Sequence, residues 1–365
     1  MTKWIGILAA VFAATVGGTA YLAASVGRFG LIRRLAGESV MKRRLISLAF
    51  IGVGYLAVSI AMTKINGVIV LLHEVLFFAL FGLIMRVIRA VTGHEFRIYW
   101  QGWLALTASV AYLAVGYWLC NNVWQTNYTL SAGKLGEPLK IALFADSHIG
   151  ATFDGDGFAE QLEAIKAQSP DIVLIPGDFV DDWSVKEEMI KACRALGTVE
   201  APYGVWFTFG NHDEGNFGSR DFSAYDLTEE LKKNGVHVLR DEVELVDDRF
   251  YIIGRNDAMM TDRKEISQLV SGLDRDKYMI VLDHQPSDYE KEAAAGVDLV
   301  VSGHTHGGQL IPATFVGQWL GMNDRTYGCE RRKNTDFIVT SGISDWNIKF
   351  KTGTKSEFVI IELQP

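Results

Sequence analysis

Four long apolar stretches fill most of the first 125 residues, near 4–26, 45–63, 67–88 and 101–120. A hydrocarbon slab about 30 Å thick takes roughly 20 helical residues to cross, so each stretch approaches or meets the length of a membrane span. A single run of this kind reads equally well as a buried core helix or, at the N-terminus, as a signal peptide opened by Lys3. Four in succession, the first longer than an ordinary signal core, predict an all-α region of four transmembrane helices over residues 1–125. His73 and Glu74 fall inside the third span, where ionisable groups are costly. The expectation is that they pair with another helix.

Lys and Arg near helix ends favour the cytoplasmic side, and here they are unevenly placed. Arg28, Arg33, Arg34, Lys42, Arg43 and Arg44 lie between the first two spans, and Arg86, Arg89 and Arg97 between the last two. The N-terminus offers Lys3 and the second connection Lys64. Both termini are therefore expected outside the cytoplasm, which makes this a multi-pass protein of the cell membrane with an extracytoplasmic C-terminal domain.

Composition changes sharply after the last span. Residues 1–133 carry 11 Lys/Arg against 3 Asp/Glu, a net +8, whereas residues 134–365 carry 24 against 40, a net −16. A nucleic-acid partner needs cationic surface to displace counterions, so the acidic half excludes that class. The three cysteines, Cys120, Cys193 and Cys329, have no CxxC spacing and form neither a disulfide framework nor a zinc knot by themselves. Residues 126–138 read as a linker and 139–365 as the soluble domain. In it, apolar strand candidates (139–144, 172–175, 205–209, 250–253, 279–282, 299–301, 337–340 and 357–363) are interrupted by helical patterns at 157–167, 186–196, 227–234 and 263–271. This alternation predicts an α/β sheet domain with its faces covered by helices.

Most of these strands stop abruptly at metal-capable side chains. Asp146 and His148 follow the first, Asp178 the second, Asn211, His212 and Asp213 the third, His284 the fifth, and His304 and His306 the sixth. Ligands of open α/β sheets bind beyond the carboxyl ends of strands, so the five clusters are expected to converge on one rim. Five of the chain's eight histidines belong to them. Residues i and i+2 of an extended segment face the same side, which pairs Asp146 with His148 and His304 with His306. Carboxylate, amide oxygen and imidazole without thiolate suit Mn, Fe, Zn, Co or Ni rather than Cu(I), an iron–sulfur cluster or a calcium cage. Seven such ligands exceed the needs of one ion. They fit two, about 3.5–4 Å apart and sharing a carboxylate, the arrangement that clamps an in-line displacement at phosphorus. Gly177, Gly210 and Gly303 stand where each strand must turn sharply.

The series Asp146-Ser-His148, Gly177-Asp178-Phe-Val-Asp181, Gly210-Asn211-His212-Asp213, His284 and Gly303-His304-Thr-His306 resembles the five ordered blocks of the calcineurin-like metallophosphoesterases. The resemblance spans residues 139–363 and, through GHTHGGQ at 303–309, extends to a membrane-anchored branch that also places helices before the enzyme. It implies a four-layer αββα sandwich that hydrolyses phosphoric ester or anhydride bonds. By matching positions, it implies that Asp146, His148 and His306 hold a first divalent ion, that Asp178 bridges, and that Asn211, His284 and His304 complete a second, with manganese favoured. His212 would stand beside the ions as proton donor or charge stabiliser. Either Asp181 or Asp213 is placed to orient its ring, and the resemblance favours Asp181.

A hydroxide held between the ions is the expected nucleophile. Because the domain leaves the bilayer after a short linker, the expected partners are the lipid bilayer itself and a phosphorylated small molecule or lipid-linked substrate. The alternative is a non-catalytic metal-binding sensor or accessory module, which the retention of every ligand position disfavours. Arg220 and Arg255 are candidate phosphate contacts on charge alone. Trp183, Phe217, Phe222, Tyr225 and Trp346 lie near the motif loops, where aromatic residues more often pack than bind.

Overall fold

The structure, a computed structural model, describes residues 2–215, 218 and 220–365, with side chains from Ile5 onward in the first helix. Two compact units emerge. One holds residues up to Tyr117 with Asn347–Lys349, the other Trp118–Trp346 with Phe350–Pro365.

The first unit contains α1 (Thr2–Val26), α2 (Gly30–Ala36), α3 (Val40–Ala61), α4 (Lys64–Thr92) and most of α5 (Trp100–Asn121). By length and composition α1, α3, α4 and α5 can each cross a membrane. Helices α3 and α4 begin earlier than the apolar runs at 45 and 67 suggest. Ser39 accepts from the Lys42 amide at 3.3 Å and Thr63 from that of Asn66 at 3.5 Å. Such caps satisfy first-turn donors with polar residues that a search for apolar runs discards. The inner core is small, built around Leu22, Phe78 and Ala105, while Phe12, Val53, Ile60 and Val91 point outward. An exposed apolar surface of this extent is a liability in water and the natural state in hydrocarbon. Glu74 accepts from Ser109 Oγ of α5 at 2.7 Å. His73 instead meets its own helix, Nδ1 lying 2.8 Å from the Ile69 carbonyl, with its ring 5.8 Å from that of Tyr112.

The second unit follows α5 with β1 (Val123–Ser131), β2 (Leu139–Leu143), α6 (Gly155–Lys166), β3 (Ile172–Pro176), α7 (Lys186–Leu196), β4 (Val205–Thr208), α8 (Ala224–Lys233), β5 (Val236–Leu239) and β6 (Glu242–Val246). Then come β7 (Phe250–Gly254), α9 (Ile266–Leu269), β8 (Tyr278–Leu282), α10 (Tyr289–Ala295), β9 (Leu299–Ser302), α11 (Val316–Trp319), β10 (Gly328–Arg332), β11 (Thr335–Val339) and β12 (Ser356–Gln364). The strands form two six-stranded sheets, ordered β1-β12-β2-β3-β4-β5 and β10-β11-β9-β8-β7-β6.

Side-chain alternation builds the layers. Leu139, Ile141 and Leu143 face Ile280, Leu282 and Val301 in a cluster between the sheets. Ala142 and Phe144 face the other way, onto Phe158 and Leu162 of α6, Met189 of α7 and Leu227 of α8. On the far side Met279 and Val281 pack with Ile266 of α9 and Ala293 of α10. The result is the helix–sheet–sheet–helix sandwich expected of the sequence. Burial on both faces explains why the strands read as unbroken apolar runs, and each fully buried Leu, Ile or Phe contributes about 1.5–3 kcal/mol.

One boundary needs correction. The stretch 126–138, expected to be a linker, contains most of β1, which pairs in parallel with β12 from Val123↔Ser356 to Ser131↔Gln364. As the edge strand it buries little, so its polar sequence concealed it. Strands β5, β6 and β10 were likewise not anticipated, being short or, in β6 and β10, charged.

Candidate metal centre

The parallel strands β2, β3 and β4 of one sheet and β8 and β9 of the other deliver the five clusters at their carboxyl ends. Beyond those ends the backbone is not extended as the i, i+2 reasoning supposed. Asp146, His148, Asp178, His304 and His306 all have positive φ, from 40° to 69°. Non-glycine residues in that region cost roughly 1–3 kcal/mol each, and their concentration here marks a strained, over-determined rim. Asp146 and His148 still reach one triad of ligand atoms, whereas His304 and His306 go to different ones. Gly177 turns at φ 86°, where a Cβ would strike the Gly210 backbone, and Gly210 leaves no room for a side chain beside Asp178.

Among the described residues four groups bring ligand-type atoms within 4.8 Å of one another: two triads, Asp146, His148 and His306, and Asp178, His284 and His304, and two groups that include His212, with His148 and Asp178 and with Asp181 and Asp182. Neighbouring rings are 5.2 Å apart for His148 and His306 and 5.0 Å for His284 and His304. Asp178 Oδ2 lies 3.0 Å from His284 Nε2 and 3.7 Å from His148 Nε2, so it stands between the triads. His284 donates from Nδ1 to the Pro176 carbonyl at 2.8 Å, a backing bond that fixes the tautomer and turns Nε2 inward. Asp146 accepts from the His304 amide at 2.9 Å. Asn211, the seventh predicted ligand, is buried with Oδ1 unpartnered, as is His148 Nε2. Buried polar atoms without partners are rare, and carboxylate, amide and imidazole groups together suit divalent ions.

Electrostatics follow the same geometry. Burial opposes ionisation of Asp178, but His284 and then His148 outweigh it and hold the carboxyl well below its usual range. Burial pulls the His148 ring down, yet Asp181, Asp178 and Asp146 together raise it to about 9. Burial, with the charge of His284 added, pushes His304 down to about 3. Asp213 is raised to about 7 by burial and by Asp178.

His212 lies beside the first triad, its ring 5.0 Å from that of His148. The carboxylate on its Nδ1 is Asp182. Asp181, expected in that place, sits 3.2 Å from His148 Nδ1 instead, and Asp213 accepts from the amides of Asp178, Val180 and Gly210 at 2.7, 3.0 and 2.8 Å. The loop after β3 sends consecutive carboxylates to different rings, which a motif read by position alone does not resolve. The doubled acid Asp181-Asp182 was the only signal. Asp345, also not anticipated, stands behind His306 with Oδ1 3.9 Å from Nδ1.

Neither arginine candidate is offered to a phosphate. Arg220 donates to the carbonyls of His212, Asp213 and Phe222, clamping the loop that carries Asn211, His212 and Asp213. Arg255 is buried against Asp283, Glu292 and Asp288 at 2.8, 3.2 and 3.0 Å. Of the aromatic residues, Phe222 is core, Trp183 and Tyr225 are exposed, and Phe217 lies outside the described residues.

The calcineurin-like phosphoesterase family profile matches residues 139–308. A metallophosphoesterase of Aquifex aeolicus is 32% identical over 52% of this chain and 71% of its own length. One from Campylobacter jejuni is 28% identical over 63% of this chain. A Danio rerio protein named for a transmembrane region with a metallophosphoesterase domain is 27% identical over 62% of this chain and 53% of its own. The chain belongs to the calcineurin-like metallophosphoesterase family. Its match spans 60% of the length of the Campylobacter relative.

Proposed function

We propose that this protein is a membrane-anchored phosphoesterase that holds two divalent ions and hydrolyses a phosphate ester or pyrophosphate, carried on a lipid or lipid-linked group. The observation that carries this reading is the pair of triads, with Asp178 of the second 3.7 Å from His148 of the first, together with the buried and unpartnered Asn211 Oδ1 and His148 Nε2. Asp146, His148 and His306 would hold one ion, Asn211, His284 and His304 the other, and Asp178 both, with manganese favoured. Bound there, the ions supply Lewis acidity that activates water and offsets phosphoryl charge.

The chain's own groups set up the rest. His284 is oriented by the Pro176 carbonyl, and Asp181 stands 3.2 Å behind His148 Nδ1, so each ring has an oxygen behind it before an ion arrives. His212 is the proton-carrying group, with Asp182 on Nδ1 presenting Nε2 to the departing oxygen. The acidic charge of the domain disfavours nucleic acid as a partner, and the placement of cations in the helical unit supports a catalytic domain outside the cytoplasm of a multi-pass cell-membrane protein.

The test is hydrolysis of bis(4-nitrophenyl) phosphate by the detergent-solubilised chain, with manganese, with other divalent ions and after chelation. Metal-dependent release of nitrophenol is expected. A chain that binds metal and hydrolyses neither this diester nor a monoester or pyrophosphate would instead be a binding module.

A further inference from the structure

The segment after the last metal ligand is unlike the rest of its unit. Residues 307–322 contain no Asp, Glu, Lys or Arg, in a half of the chain whose net charge is −16. Its large apolar side chains face outward: Ile311 is 49% exposed, Phe315 52% and Trp319 75%. Phe315 and Trp319 lie one turn apart with ring centroids 6.1 Å from each other. An uncharged, aromatic, outward-facing ledge is the composition found where protein meets the headgroup layer of a bilayer, because an indole has an apolar body and a polar N–H.

Its root is shared with the membrane exit of the chain. Gln309 donates from Nε2 to Asp345 Oδ2 and, at 2.8 Å, to the Phe350 carbonyl. Cys120 Sγ, in the last turn of α5, lies 3.7 Å from the same Asp345 oxygen, and Ser356 Oγ donates to the Cys120 carbonyl at 2.6 Å. One carboxylate thus gathers the end of a span, the start of the ledge and, 3.9 Å from its other oxygen, the ring of His306. On the inner side, Thr314, Phe315 and Gln318 line a cavity of about 200 Å³ with Arg325, Tyr327 and Gly307. Gly307 directly follows His306.

We propose that residues 309–322 are a bilayer-docking ledge. Ile311, Phe315 and Trp319 sit in the interfacial layer of the membrane that α5 leaves, and phosphoesters resident in that layer are the substrates. The inference rests on the phosphoesterase reading for its substrate class. The docking itself does not.

Two measurements on the full-length protein in phosphatidylethanolamine–phosphatidylglycerol vesicles test it. In the first, Trp319→Cys carries a nitroxide, with exposed Glu229→Cys on α8 as the aqueous reference. A label at 319 that collides with oxygen more than with a water-soluble nickel chelate supports docking. One as accessible to nickel as the label at 229 overturns it, and one shielded from both collision partners overturns it in favour of a protein partner or a second copy.

In the second, hexadecyl and methyl 4-nitrophenyl phosphate are compared, two diesters with the same leaving group. The wild type should favour the hexadecyl ester by about tenfold or more in kcat/KM. Trp319→Glu should remove most of that preference without changing the methyl-ester rate, and Trp319→Phe should keep it. A wild type without preference, or a Trp319→Glu protein impaired equally on both esters, overturns the substrate assignment. If the wild type hydrolyses neither ester, the assignment of diesters in that layer as substrates is overturned, the monoester and pyrophosphate assays decide the phosphoesterase reading separately, and the nitroxide depth still decides the docking.

Discussion

Replacing Asp182 with Asn separates orientation of the His212 ring from metal binding. Asp182 is almost fully buried and is the carboxylate on His212 Nδ1, while its neighbour Asp181 serves His148. Asn keeps the shape and removes the charge. Hydrogen bonds to charged groups contribute about 1.5–3 kcal/mol, and each 1.36 kcal/mol on a barrier is about tenfold in rate. Asp182→Asn should therefore lower kcat by about 10- to 150-fold, with KM and bound metal unchanged. Asp181→Asn should do the reverse, losing metal first because His148 loses the group that holds it. Steady-state kinetics paired with metal analysis of the same samples reads both effects. Full turnover in Asp182→Asn, or a fall in kcat at full metal content in Asp181→Asn, would refute the pairing and return the orienting role to Asp181.

Asp178→Asn should lower the occupancy of both metal positions, and a variant that still carries two ions by elemental analysis would remove Asp178 as the shared ligand. Metal affinity should rise with pH between 6 and 9. His148, raised to about 9, and His284, also raised, keep protons at neutral pH that an ion must displace, by about tenfold in affinity per unit for each proton released. Calorimetry in buffers of different ionisation enthalpy counts those protons, and a count of zero contradicts the assignment. Lys351, fully buried, donates to the carbonyls of Ser341, Gly342 and Ser344 at 2.6, 3.4 and 3.0 Å. Lys351→Met should cost about 3 kcal/mol by stranding those acceptors and lower the unfolding midpoint by roughly 6–12 °C. An unchanged midpoint would show that the acceptors find other partners.

What the sequence revealed depended on how strongly each element signals itself. The spans and the central strands announce themselves by apolar runs that two-sided burial demands, and the metal-capable residues stand directly after those runs. Strand β1 stayed hidden because an edge strand with one face open to solvent has no such run. The roles of Asp181 and Asp182 were not legible because they turn on which way adjacent side chains point in a strained loop. Asp345 sits far along the chain from most of the metal-capable residues, although it stands behind His306, and Lys351 holds the loop just before Asp345. Their places go with the return of the chain to β12 between β1 and β2, a long-range event that no local pattern records.

That return has a practical side. Strand β12 lies between β1 and β2, and β1 begins two residues after the last span ends. A shortened protein that starts at Leu139, where family similarity begins, would strip β12 of its neighbour and bare nine residues of unpaired backbone. Open edges of that kind recruit other chains and precipitate. Any water-soluble version intended for purification should begin before Val123.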